Sequence, residues 1–215
     1  MDIIIHGINN KANEEQAGVY DEKKLITSEV RLSDNFSAAP GTYKLILRPA
    51  AVREIFNFIE WDVGWRSDPR VEQGGILLGK RYYDCKQEIH FVVVHKAITA
   101  DDADGTTGYL DITRECWSIM HDKKDAYNKE TGENAVIVGW FHTHPNMLPC
   151  FMSGTDRNTQ SLFFDGENTY SIVINPQRHL LKAFRSKECY AVQAFLMLDG
   201  SCDTEDAYVD HNGHV

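Results

Sequence analysis

The run Ala135 to Phe141 is apolar and leads without a break into His142-Thr143-His144-Pro145. A continuous apolar run of this length, bounded by turn-forming residues, reads as a buried strand. Side chains repeat every two residues along a strand, so His142 and His144 project to the same face at its end. Two imidazoles placed this way can share one metal ion. Asp156 follows a short loop later, in Ser153-Gly154-Thr155-Asp156, and can supply a third ligand. Two histidines and one carboxylate, with a fourth position left to water, describe an open zinc site. A bare His-x-His is more often a surface turn; the strand before it and the aspartate after it favour the metal.

The chain has 215 residues, enough for one sizeable domain with extensions. No apolar run approaches the ~20 residues of a membrane span. Met1-Asp2-Ile3-Ile4-Ile5-His6-Gly7 has too short an apolar patch for a signal peptide and no basic segment, so a cytoplasmic protein with no membrane partner is expected. A formal net charge of -10 argues against nucleic acid as a partner, because phosphate binding needs clustered Lys and Arg. Cys85, Cys116, Cys150, Cys189 and Cys202 are scattered, odd in number and without CxxC spacing, which fits reduced thiols better than a disulfide framework. Asn35-Phe36-Ser37 matches a glycosylation sequon, read as chance without a secretory signal.

Residues 1–40 are polar and read as an N-terminal extension; Pro40-Gly41 marks a domain start. Strands are expected at Tyr43 to Leu47, Gly75 to Leu78, His90 to His95, Tyr170 to Ile174, His179 to Phe184 and Tyr190 to Met197, with a hairpin turn at Asn175-Pro176-Gln177. Helical spacing appears in Ala50 to Trp61, through Val52, Ile55, Phe56 and Ile59. It recurs in Thr113 to Asn128, with Trp117, Met120 and Ala126 on one side, and in a short helix from Asp156 to Phe164. Asp101 to Gly108 reads as an acidic loop, and the tail 199–215 as acidic and disordered. Strands interleaved with helices imply an α/β domain around one mixed sheet, spanning 41–198.

Amide hydrolysis at a zinc site needs a base to take the proton from water and pass it to the leaving amine, and a donor for the developing oxyanion. Glu72 heads Glu72-Gln73-Gly74-Gly75-Ile76-Leu77-Leu78-Gly79, a strand whose glycines allow close backbone approach. Taken alone it would be a solvated charge. Ser153 could hydrogen-bond the oxyanion, or cap the helix that starts near Asp156. Cys150 lies in the ligand loop and could bind zinc, but packing there is the better reading. The zinc-deaminase pattern fails, because Ser153 stands where its second cysteine would be and Thr143-His144 replaces the expected glutamate. His6, His90, His95, His121, His179, His211 and His214 show no ligand spacing.

The residues resemble those of the JAMM (MPN+) metalloprotease family, whose pattern is a glutamate on an early strand, then His-x-His-Pro, then Ser-x-x-Asp. The resemblance covers Tyr43 to Met197. It is most specific in Gly139 to Pro145 and in Ser153-Gly154-Thr155-Asp156-Arg157-Asn158-Thr159-Gln160, which are similar to the isopeptidase subunits of the proteasome lid and signalosome. The Glu72 to Gly79 segment resembles the bacterial branch more closely. The resemblance implies a curved mixed sheet flanked by helices, in a layout like that of cytidine deaminases. It implies zinc on His142, His144 and Asp156, Glu72 as general base, and Ser153 as oxyanion stabiliser. The implied activity is removal of ubiquitin or a ubiquitin-like protein from its conjugates or precursors. A small-substrate peptidase acting on a sulfur-carrier protein would share the chemistry, and a non-catalytic scaffold would lack it. One departure is visible: eight residues, Pro145 to Met152, separate His144 from Ser153, where the family usually has seven.

Overall fold

The computed structural model describes residues 43–63, 69–84 and 87–196. The expected extension 1–40 and tail 199–215 lie outside them, as do Cys85, Cys202, His6, His211 and His214. The element order is β1 (Tyr43–Leu47), α1 (Pro49–Phe58), a 3-10 turn (Trp61–Val63), β2 (Gly74–Asp84), β3 (Ile89–Thr99), β4 (Asp104–Thr106), β5 (Tyr109–Asp111), α2 (Arg114–Thr131), β6 (Val136–Thr143), α3 (Gly154–Phe163), β7 (Tyr170–Asn175), β8 (Leu180–Arg185) and β9 (Tyr190–Leu196).

Seven strands form one mixed sheet, ordered β1-β3-β2-β6-β7-β8-β9, and β1 pairs with β9 to close it into a barrel. The β1–β3, β1–β9 and β6–β7 pairs are parallel and the others antiparallel. The expected curved mixed sheet is present; its closure was not readable from the sequence. β2 and β3 run well beyond the expected Gly75 to Leu78 and His90 to His95, and pair with each other along most of their length. Part of the expected acidic loop is ordered as strand: β4 pairs with β5 in a separate two-stranded sheet. This short hairpin is mostly exposed, so its sequence carries little apolar alternation to reveal it.

One face of the strands and α1 build the larger core, including Leu45, Val92, Phe141, Ile172, Leu181 and Ala194 with Ala51, Val52 and Ile55. The helix starts without a side-chain cap but with Pro49 in its first turn, where the missing N–H costs nothing. The opposite strand face packs under α2 and α3 through Ile76, Leu78, Ile98, Trp140, Val173 and Phe184. Each fully buried aliphatic side chain contributes roughly 1.5–3 kcal/mol. α2 is capped by Thr113, whose side chain accepts from Cys116 N, and ends at Gly132 in the left-handed region, φ 71°. Its buried residues are Cys116 and Met120, with Trp117 and Tyr127 half-buried beside them. Ala126 is exposed, a correction to the face expected from sequence.

β6 contains the irregularity that positions the site. Leu77 pairs with Gly139 and Leu78 with Ile137, so Val138 is an extra residue, a β-bulge. On the near side of the bulge Ile137 joins the helix-covered core and Val138 the larger one; beyond it Trp140 joins the first and Phe141 the second. Both sets are spaced by three instead of two. A shift of one residue moves every later side chain to the other face. The bulge therefore turns Trp140, His142 and His144 toward α3. Gly139 makes the close pairing beyond it possible, since a Cβ there would stand 2.0 Å from the Tyr170 carbonyl oxygen.

Candidate metal centre

Three residues converge at the end of β6 and the start of α3. His142 Nε2 lies 3.3 Å from His144 Nε2 and 3.2 Å from Asp156 Oδ1, and His144 Nε2 lies 3.4 Å from Asp156 Oδ2. All three residues are buried. Among the described residues they form the one group of three or more potential ligands whose donor atoms cluster this closely. The separations fit a metal: ligands about 2.05 Å from a tetrahedral zinc stand roughly 3.3 Å apart. Cys150 is not in the group. Its thiol points to the Leu180 carbonyl in the helix-covered core, and burial pushes it up to about 11, so the packing reading holds. His90 stacks on Tyr43 and meets Tyr83 at a tilt, His95 is buried on β3, His121 is exposed, and His179 packs on Trp61; none joins the group.

Burial pushes His142 below the ordinary imidazole value, which favours the neutral form that binds metals. Burial acts the same way on His144, but its hydrogen bonds with Asp156 and the Pro149 carbonyl outweigh it and raise this imidazole. Burial alone would raise the Asp156 carboxyl. Hydrogen bonds from His142, His144 and Ser153 overcome that and hold it well below the usual carboxylate range. The candidate ligand set is thus two imidazoles facing an ionised carboxylate.

Asp156 owes its position to the helix start. Ser153 is the N-cap of α3: its Oγ accepts from Asp156 N at 3.2 Å, and Asp156 Oδ2 accepts from Ser153 N at 2.7 Å. This reciprocal pair is a capping box with aspartate in the place of the more usual glutamate. The capping role expected for Ser153 is therefore real. It leaves the hydroxyl hydrogen uncommitted by that bond, and Ser153 also lines the adjoining cavity. The eight residues between His144 and Ser153 form a loop, in which Leu148 N donates to Pro145 O and Asn146 adopts φ 60°.

Glu72 faces the same cavity, which measures about 350 Å³. It is buried, and burial is the chief reason its carboxyl rises to about 7; nearby His144 lowers it and Asp156 raises it. Its backbone is held on both sides. Glu72 N donates to Thr106 O of β4 at 2.7 Å, and the next residue, Gln73, exchanges bonds with Thr143: Gln73 N to Oγ1 at 2.9 Å, Thr143 N to Gln73 O at 2.7 Å. Asn146 adds a clamp the sequence did not reveal. Its side chain accepts from Arg70 N at 3.1 Å and donates to Arg70 O at 3.0 Å, pinning the segment two residues before Glu72. The left-handed backbone of Asn146, which asparagine tolerates well, was the available clue. Tyr109, Leu110, Trp117 and Phe163 also line the cavity.

A closed mixed sheet with a His-His-Asp cluster at a strand end and a buried glutamate across the cleft defines an α/β domain equipped to hold one metal ion. Residues 61–166 match the JAB family, described as JAB1/Mov34/MPN/PAD-1 ubiquitin protease. Over those residues, just under half of its length, the chain carries a JAB/MPN-type domain. It is 30% identical over 89 residues to 26S proteasome non-ATPase regulatory subunit 14 of Dictyostelium discoideum, covering 40% of this chain and 27% of that protein. It is 31% identical over 72 residues to ubiquitin carboxyl-terminal hydrolase RPN11 of Saccharomyces cerevisiae, covering 33% and 21%. It is 29% identical over 114 residues to COP9 signalosome complex subunit 5 of Oryza sativa subsp. japonica, covering 53% and 29%. In each case the match spans under a third of the relative's own length.

Proposed function

We propose that this protein is a zinc-dependent peptidase that hydrolyses the amide bond following the C-terminus of ubiquitin or a ubiquitin-like protein. The observation that carries the reading is the convergence of His142, His144 and Asp156 at 3.2–3.4 Å beside the buried carboxyl of Glu72. The similarity to proteasome and signalosome subunits, one of them named a ubiquitin carboxyl-terminal hydrolase, supports the substrate class.

Zinc held by His142, His144 and Asp156 would supply Lewis acidity, making water a competent nucleophile near neutral pH. The other tasks fall to the chain's own side chains. Glu72 accepts the proton of the attacking water and delivers it to the leaving nitrogen; a carboxyl raised to about 7 is suited to both transfers. Ser153 donates its hydroxyl hydrogen to the carbonyl oxygen as that oxygen gains charge. Trp117 and Phe163 add apolar surface to the cleft beside these groups.

The test is cleavage of ubiquitin and ubiquitin-like fusions and lysine conjugates by the purified full chain, with and without a zinc chelator. Cleavage that the chelator stops and added zinc restores is the expected result. A zinc-loaded chain that cleaves none of these substrates overturns the reading and leaves the small-substrate peptidase or the binding scaffold.

Ser153→Ala separates two contributions of one hydroxyl. Loss of the transition-state donor should lower kcat by roughly 10²–10³-fold with little change in KM. Loss of the cap should lower stability by about 1 kcal/mol. Both changes are expected together, read as kcat and melting temperature. A lowered melting temperature at unchanged kcat would assign Ser153 to the helix cap alone.

A further inference from the structure

The two imidazoles are held differently. Metal-binding histidines usually donate their second ring nitrogen to a fixed acceptor, which sets the tautomer and ring rotation. His144 has such a partner, with Nδ1 2.8 Å from the Pro149 carbonyl oxygen. His142 does not: its Nδ1 is buried and finds no hydrogen-bond partner among the described residues. Rotation about its Cβ–Cγ bond must be fixed by something other than a hydrogen bond.

The indole of Trp140 covers a face of that ring. It lies two residues earlier on β6, on the same strand face, and stacks on the His142 ring with centroids 4.4 Å apart and planes 13° from parallel. Its other neighbours hold it in turn. Phe164 lies nearly parallel to it at 5.9 Å, and Trp140 Nε1 donates to Gln160 Oε1 at 2.7 Å. Gln160 is fully buried and donates through Nε2 to the Phe164 carbonyl at 2.9 Å. Asp156 and Gln160 are the two buried residues of α3 and stand one turn apart, on the same helix face. The Trp140–Gln160 hydrogen bond therefore ties the strand carrying His142 to the helix carrying Asp156, one turn from the carboxylate.

We propose that Trp140 is a positioning residue of the metal centre, its indole holding the His142 ring in the ligating orientation, and that Gln160 locks the indole in place. The inference rests on the metal reading above, and its test needs no substrate. In the full chain, Trp140→Leu removes the flat face, Trp140→Phe keeps it without the N–H, and Gln160→Leu leaves the indole without its anchor. Zinc affinity is measured by competition with a chromogenic chelator, the visible bands of the cobalt-substituted protein report ligand geometry, and melting of the metal-free protein reports folding.

Trp140→Leu should weaken zinc binding roughly 10–100-fold, the range found for outer partners of metal ligands, and alter the cobalt bands. Gln160→Leu should do so less, and Trp140→Phe should recover most of the loss. Should Trp140→Leu fail to fold, Gln160→Leu carries the test. Unchanged zinc affinity and cobalt bands in the folded variants overturn the proposal, whatever happens to the melting temperature. So does a Trp140→Phe variant as impaired as Trp140→Leu. A wild-type chain that binds neither zinc nor cobalt overturns the metal reading itself, a distinguishable failure.

Discussion

Zinc binding is expected to collapse when His142 and His144 are both replaced by alanine. Elemental analysis of the wild-type chain should give about one zinc per molecule. His211 and His214 can bind stray metal, so the comparison is best made in a background where both are alanine. Even outer partners of metal ligands are worth about 10–100-fold in affinity. Losing two of three ligands should exceed that and leave no stoichiometric zinc. The metal-free protein should also melt lower, because the Asp156 carboxylate would stay buried without the two imidazoles that hydrogen-bond to it. A folded double variant that keeps one zinc would show that the metal sits elsewhere.

Glu72→Gln is expected to keep the metal and the fold and to lose ~10²–10⁴-fold in turnover, or more because one group transfers the proton twice in each cycle. The same substitution has an opposite effect on stability. The folded-state carboxyl is raised to about 7 from an ordinary 4.5, so between those values the folded chain holds a proton that the unfolded chain has released. Stability from this group therefore falls as pH rises from 4.5 to 7 and stays low above 7. In metal-free protein, Glu72→Gln should melt higher than wild type at pH 8 and about the same at pH 4. Near-normal cleavage by the zinc-loaded variant would reduce Glu72 to a buried charge without a role. Equal melting at pH 8 would show that its burial costs the folded state nothing.

Much of the site was readable because its signals are local. His142 and His144 share a face by strand periodicity, and Ser153 to Asp156 is a helix start whose chemistry requires those residue types. Most strands and helices of the core followed from runs such as Tyr170 to Ile174 and from the spacing of Val52, Ile55 and Ile59. What escaped was set by pairing between distant segments. The bulge at Val138 depends on register against β2, and no feature of β6 alone announces it. The Asn146 clamp spans 76 residues and the Trp140–Gln160 bond 20, so neither leaves a periodic trace. The face of α2 was misread at Ala126 because alanine is equally at home buried or exposed.

Closure of the sheet has a consequence for when the domain can form during synthesis. β1, the first described strand, lies between β3 and β9, and it meets β9 only after residue 196 has been made. By then Glu72, His142, His144, Ser153 and Asp156 have long been available, all of them preceding β7 in the chain. A nascent chain that has reached Arg185 already contains the whole candidate site while β1 and β8 still present unpaired backbone edges. Such edges invite pairing with other chains. The last strand contributes no ligand, yet it governs the interval over which a nearly complete site is carried by a barrel still open along one seam.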